Sequence, residues 1–311
     1  MLPSSLPLGL SIAIERLVSQ MEAHSTFLAS AIHTWMCRMS PTGEPAAELA
    51  HPQMFPILQL PEWVVESLGV SMNGEFHHAV TYSSLCGYYY TRLVDDLMDG
   101  HVGVQDEIRL LPAAGFFASE FQFAYQPYFP PQHEFWSHFR RTWMDAADGT
   151  AHDFTLQVVR REDFERISSR KFAAVGIPVA ATAYLYGCPE EGFRWIAFVH
   201  ALGKWSQLFD DLLDWHADRE RGHATWVLSE GERRKRASES VAQWVAREGY
   251  TWGFALLQEW MADLVSQAQA LGSSGAQDFL ERRESLRQQR AETLEKGFAS
   301  LAQIATLLGR T

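Results

Sequence analysis

The chain has 311 residues, a formal net charge of −12, and 47% hydrophobic residues, enough for a large core. The acidic balance excludes a general nucleic-acid surface, which needs clustered positive charge. Three cysteines in no CxxC spacing exclude a zinc framework or a disulfide framework, so we expect a reduced, cytoplasmic setting.

Proline positions outline the predicted elements. The first 18 residues contain two prolines and no basic start, so no secretory signal is predicted, and no apolar run is long enough for a membrane span. The 13 prolines cluster at 3–7, 41–61, 112–131 and 178–189. The long stretches between them favour helix, and strand signals are nearly absent. The sequence therefore predicts an all-α protein with a single domain over residues 1–311.

An acidic cluster lies at the end of the first long predicted helix, which spans residues 75–100 and ends at a glycine. Asp95, Asp96 and Asp99 share one side of this helix, because residues one and four positions apart lie near each other around it. Their repulsion, at a helix end that is already negative, is unfavourable unless a cation compensates it. The apolar flanks predict that this acidic end lines a cavity rather than open solvent.

Between the two acidic clusters, the segment FERISSRKFAAVGIP contains Arg166, Arg170 and Lys171. Gly176 and Pro178 are predicted to break the helix that contains these cations. The same pattern also fits ordinary surface charge, so the residues alone leave both interpretations open.

A second acidic cluster lies at the end of a long predicted helix over residues 190–222, which also ends at a glycine. Asp210, Asp214 and Asp218 recur every four residues and so lie on one face, and Arg219 and Arg221 follow at once. Each cluster alone fits a solvated surface, whereas two such clusters on apolar helices indicate a metal site. Carboxylate ligands without cysteine or paired histidine favour Mg²⁺ over zinc or a diiron centre.

These motifs resemble those of the class I isoprenoid synthase superfamily, which includes trans-prenyl diphosphate synthases and class I terpene synthases. Residues 95–99 fit its DDxxD motif. Residues 207–214 look like the QxxDDxxD motif of chain-elongating synthases, and Asp210, Asp214 and Asp218 also fit the metal triad of terpene cyclases. The resemblance implies an antiparallel helical bundle around a central active-site cavity, and a homodimer as the expected assembly.

The resemblance also implies roles for individual residues. Asp95 and Asp99 are expected to hold two Mg²⁺ ions, and Asp210, Asp214 and Asp218 a third. The expected diphosphate ligands are Arg166, Arg170, Lys171, Arg219 and Arg221, and the catalytic set is Asp95, Asp96, Asp99, Arg166, Asp210, Asp214 and Asp218. Aromatic side chains on the motif helices are expected to line the substrate pocket: Phe76, Tyr88, Tyr89, Phe172, Trp205 and Trp215.

Departures from the chain-elongating pattern determine the predicted reaction. No Arg-Arg pair follows the first motif, where only Arg109 is in reach, and Gly222-His223 replaces a glycine-lysine pair after the second. These differences favour a terpene cyclase, a carbon-oxygen lyase that ionises and cyclises geranylgeranyl or farnesyl diphosphate (C20 or C15). The alternatives are a prenyltransferase that condenses an allylic diphosphate with isopentenyl diphosphate, and a non-catalytic helical binding protein.

Overall fold

A computed structural model describes residues 8–40, 42–51, 54–98 and 109–308. Within these ranges the regular elements are helical and no strand occurs, which confirms the predicted all-α class. Asp99, from the first acidic cluster, lies outside the described residues. None of the helices described is both long enough and apolar enough to cross a membrane.

The chain divides into two compact units, which are described separately. The first unit comprises Met1–Arg141 and Val175–Phe193, and the second comprises Thr142–Ala174 and Arg194–Thr311. The single-domain assignment stays a prediction. The α-helices are, in chain order, α1 Leu8–Glu22, α2 Thr26–Met39, α3 Pro45–Leu49, α4 Leu60–Leu68, α5 Gly74–Met98, α6 Leu111–Phe123, α7 Phe135–Asp153, α8 Arg161–Lys171, α9 Gly176–Leu185, α10 Pro189–Arg221, α11 Trp226–Arg234, α12 Val241–Trp244, α13 Tyr250–Leu271 and α14 Ser274–Leu308.

The start of α5 and both ends of α10 lie within one residue of their predicted positions, and the predicted end of the first motif helix at Gly100 lies outside the described residues. Asn73 caps α5, because its side-chain Oδ1 accepts a hydrogen bond from the Phe76 backbone N–H at 3.0 Å. Helix α10 ends before Gly222, whose φ of 76° is a left-handed conformation that glycine adopts without strain. The predicted helix over residues 190–222 is therefore confirmed to within one residue at each end.

The break after α8 lies earlier than the sequence predicts. Helix α8 ends at Lys171, a 3₁₀ turn covers Ala173–Val175, and α9 begins at Gly176. Pro178 lies in the first turn of α9, where a backbone N–H has no helical partner to lose. Pro178 therefore lies within the start of the next helix rather than at the break.

In the first unit, α5 packs against α1 and α6. A Cβ atom on Gly87 of α5 would lie 3.0 Å from the Phe121 ring of α6, so the absence of a side chain allows this close approach. Residues on the inner face of α5, including Phe76, Leu85 and Tyr89, are completely buried.

In the second unit, α13 packs closely on α10. A Cβ atom on Gly253 of α13 would lie 2.4 Å from Leu212 Cδ1, and Leu212 is completely buried. Helix α13 follows α12 through a π-helical turn over Val245–Gly249, in which the Tyr250 N–H donates to the Val245 carbonyl. This wide turn places Trp244 in a small hydrophobic cluster with Val241 and Val245.

Candidate active site

The first acidic cluster lies at the C-terminal end of α5 in the first unit. Asp96 is buried, with 5% of its surface exposed, and its Oδ1 lies 3.2 Å from Nη2 of Arg92, one turn earlier. Asp95 is half-buried. The Arg92 guanidinium thus offsets the charge of Asp96, and the described metal candidate on this helix is Asp95.

The second acidic cluster lies on the last turns of α10 in the second unit. Asp210 and Asp214 are exposed and Asp218 is half-buried. Although Asp210 is open to solvent, enough protein surrounds it that desolvation raises the pKa of its carboxyl. The Arg283 guanidinium opposes this rise in pKa, and the charges of Asp214 and Asp218 add to it. The three carboxylates are therefore close enough to repel one another.

Asp211 differs from its neighbours because its side chain points into the protein. It is 5% exposed, and its Oδ1 accepts a hydrogen bond from Gln207 Nε2 at 2.8 Å. Burial raises the pKa of Asp211 to about 8, while the hydrogen bond from Gln207 and the charge of Lys171 act in the opposite direction. In the second motif, Asp211 is therefore an internal group and Asp210 an exposed one.

A small cavity of about 40 Å³ lies beside Asp211 in the second unit. Polar groups line it, with Lys171, Asp153 and Gln207 among them, and Trp226 forms part of its wall. A water molecule needs roughly 10–15 Å³ of such space, so the cavity has room for a few waters and not for an isoprenoid chain.

The predicted diphosphate ligands at the end of α8 are paired with residues of α7. Lys171 Nζ lies 2.8 Å from Asp153 Oδ2, and Arg170 Nη1 donates to Asp148 Oδ2 at 2.5 Å. Arg166 Nη1 lies 3.2 Å from His152 Nδ1. These α7 partners are not predicted from the sequence, although a cluster of cations in so acidic a chain indicates that carboxylates lie nearby. Arg219 and Arg221 are exposed at the end of α10.

The predicted pocket residues of the first unit belong mainly to its core. Phe76 and Tyr89 are completely buried, and the Phe76 ring packs edge-on against Tyr128 at 5.0 Å between centroids. Tyr88 donates a hydrogen bond from its hydroxyl to Glu48 Oε1 at 3.0 Å. A pocket role for these three residues stays a prediction.

The predicted pocket residues of the second unit also make packing contacts. Trp205 is completely buried, and its Nε1 donates to the Leu257 carbonyl at 3.0 Å. The Phe172 ring lies over Gly203, where an added Cβ would come within 2.5 Å of Phe172 Cγ. Trp215 is partly buried against the cluster around the π-helical turn. Their pocket role likewise stays a prediction.

No three His, Cys, Asp or Glu side chains of the described ranges converge closely enough to hold a metal ion by themselves. The α10 carboxylates at positions i, i+4 and i+8 are about 6 Å apart along the axis for each step. Their spacing suits ions that take one or two protein carboxylates and complete their shell with water and phosphate oxygens, as Mg²⁺ does.

Comparison with solved structures defines the class of fold: the chain has the helical fold of the isoprenyl diphosphate synthases. It is similar to octaprenyl pyrophosphate synthase from Helicobacter pylori, with a TM-score of 0.64 and 12% identity over 88% of this chain and 97% of that one. It is also similar to T. brucei farnesyl diphosphate synthase in complex with the bisphosphonate BPH-722, with a TM-score of 0.52 and 14% identity over 92% and 95% of the two chains. No family model and no curated protein sequence matches the chain. At this identity the likeness is one of fold, and it confirms the resemblance at that level.

Proposed function

We propose that this chain is a Mg²⁺-dependent prenyltransferase that condenses an allylic diphosphate with isopentenyl diphosphate. The observation that carries the proposal is the row of carboxylates on α10 in a prenyl synthase fold. In this row Asp210 and Asp214 are exposed and Asp218 is half-buried. The two similar structures are both synthases by name, which favours chain elongation over the cyclase interpretation.

The donor set fits Mg²⁺. Asp95, Asp99, Asp210, Asp214 and Asp218 offer oxygen ligands alone, and three Mg²⁺ ions remain the expected complement. Bound Mg²⁺ would supply positive charge that stabilises the departing diphosphate. Burial is the main cause that raises the pKa of Asp210, and the repulsion from Asp214 and Asp218 that adds to it agrees with a row of carboxylates that gains from a cation.

The protein's own cations complete the proposed mechanism. Lys171 and Arg170, at the end of α8, would donate charge-assisted hydrogen bonds to the diphosphate, with Arg166, Arg219 and Arg221 as further donors. These bonds strengthen as negative charge grows on the leaving diphosphate, so they lower the barrier to ionisation. The double bond of isopentenyl diphosphate would then attack the allylic cation, and the cation formed by this addition would lose a proton to the released diphosphate.

The deciding experiment compares the allylic substrate alone with the allylic substrate plus isopentenyl diphosphate. Purified protein with Mg²⁺ is incubated with C10, C15 and C20 allylic diphosphates, each with and without isopentenyl diphosphate, and the products are identified by mass spectrometry. The proposal predicts a longer diphosphate that forms only when isopentenyl diphosphate is present. Absence of turnover with every substrate pair would contradict it.

A terpene cyclase is the second candidate, and a specific observation favours it. The segment after the first motif lacks the Arg-Arg pair expected to hold a second diphosphate, with only Arg109 in reach. A cyclase would convert an allylic diphosphate alone into a hexane-extractable product. The same incubations therefore separate the two candidates.

Site variants separate an enzyme from a helical binding protein. Asp210→Ala and Asp95→Ala should each abolish turnover and leave the helical circular dichroism spectrum unchanged, because both carboxylates lie outside the buried core. Asp263→Ala is the matched control, since Asp263 is also an exposed helical aspartate but belongs to neither motif. Full activity in the two motif variants would refute the catalytic role of Asp210 and Asp95.

The homodimer stays a prediction, and light scattering of the purified protein would test it.

A further inference from the structure

Asp153 is a carboxylate outside both aspartate-rich motifs that contacts a predicted diphosphate ligand directly. Asp153, the last residue of α7, lies 2.8 Å from Lys171 Nζ, the last residue of α8. The side chains of Lys171 and Asp153 are 25% and 33% exposed, respectively. This partial burial reduces the solvent screening that weakens fully exposed pairs.

The backbones of α7 and α8 are also held close together at this point. A Cβ atom on Gly149 of α7 would lie 2.7 Å from Arg170 Cβ and 3.2 Å from the Lys171 backbone nitrogen. Asp153 lies one helical turn after Gly149, so it is on the same side of α7 and faces the end of α8. The position of Asp153 relative to Lys171 is therefore fixed by backbone packing.

Both side chains line the small cavity that also contains Asp211. An ammonium group has three N–H donors, and the contact with Asp153 fixes the direction of one of them. A lysine has a long flexible stem that loses rotamer freedom when it is ordered. A partner that already orders this stem removes part of that cost from ligand binding.

We propose that Asp153 is a positioning residue that holds the Lys171 ammonium at the wall of this cavity for the diphosphate group of the substrate. The inference rests on the proposed function, because it takes Lys171 as a diphosphate ligand. Asp153 itself does not touch the substrate and acts through Lys171.

The test measures binding of inorganic pyrophosphate in the presence of Mg²⁺ by calorimetry, using the full chain. Asp153→Asn should weaken binding about fivefold, which corresponds to about 1 kcal/mol of lost preorganisation of the Lys171 side chain. It should raise the KM for the allylic diphosphate by a similar factor, with a smaller change in kcat. Asp153→Glu, which keeps the charge one methylene further out, should recover part of the affinity.

A double-mutant cycle shows whether Asp153 acts through Lys171. In a Lys171→Gln background, Asp153→Asn should leave the pyrophosphate affinity unchanged. Glu165→Gln is the matched control, because it removes an α8 carboxylate that pairs with Arg161 at 2.8 Å, away from the cavity. This variant should bind pyrophosphate as the wild type does.

Three results would overturn the inference alone: unchanged or tighter binding in Asp153→Asn, or an equal loss in the Lys171→Gln background. Tighter binding would indicate that Asp153 competes with the anion rather than positions the lysine. If the wild-type protein binds no pyrophosphate, the proposed function fails together with the inference. The two failures are therefore distinguishable.

Discussion

Gly203→Ala should destabilise the second unit, although alanine is the better helix former. The new Cβ would lie 2.5 Å from Phe172 Cγ and 2.6 Å from Cδ2, well inside ordinary contact distance. Such overpacking costs roughly 1–3 kcal/mol, while the helix propensity of alanine returns about 1 kcal/mol. Because the overlap involves the base of the ring as well as its edge, we expect a net loss of about 1–2 kcal/mol.

The assay is urea unfolding followed by circular dichroism, with Gly115→Ala as the matched control. Gly115 is an exposed residue of α6 with open space around its Cα, so the same substitution there should stabilise by about 0.5–1 kcal/mol. In a Phe172→Ala background, Gly203→Ala should no longer destabilise, because the ring that the new Cβ meets is gone. If Gly203→Ala is as stable as the wild type, the close contact described between the Phe172 ring and Gly203 of α10 is wrong.

Three further predictions concern buried groups near the second motif. Because burial raises the pKa of Asp211 to about 8, the folded protein in metal-free buffer keeps a proton that the unfolded chain releases, so stability should fall as pH rises from about 4 to about 8. Asp211→Asn should flatten this dependence. The prediction is contradicted if the urea midpoint of this variant differs between about pH 6 and about pH 9 by as much as the midpoint of the wild type does. Gly253→Ala should cost roughly 1–3 kcal/mol through overlap with Leu212, and the loss should shrink in a Leu212→Ala background. Trp205→Phe removes the indole N–H that bonds the Leu257 carbonyl and should cost about 1 kcal/mol with KM unchanged. A changed KM at unchanged stability would instead support the predicted pocket role of Trp205.

The sequence predicts the motif helices well because their ends are set by local chemistry. Helix α10 ends immediately before Gly222, which has a positive φ. Glycine adopts this conformation without strain, so the helix end can be predicted without knowing the tertiary contacts. The same holds for Gly272, which ends α13 with a φ of 76°. The break after α8 is harder to place, because Pro178 is compatible with the first turn of a helix as well as with its end.

The environment of the site residues could not be predicted, because it depends on contacts between residues distant in the chain. Arg170 and Lys171 look like free cations in the sequence, but each pairs with an α7 carboxylate about 20 residues earlier. Trp205 is likewise predicted from the sequence to line a pocket, but in the structure its indole N–H donates to the Leu257 carbonyl, 52 residues away. Helical periodicity tells which residues share a face, and tertiary packing decides what that face meets.

The π-helical turn at Val245–Gly249 holds one residue more than a regular α-helical turn of the same run would need. With every residue kept, a regular α-helix over Val241–Leu271 would have to turn further around its axis to include the extra residue. Every side chain beyond the turn would then lie about 100° further around the axis. Gly253 would turn away from Leu212 and a bulkier neighbour would meet it, so the surplus residue sets the rotation at which α13 can lie against the aspartate-bearing helix.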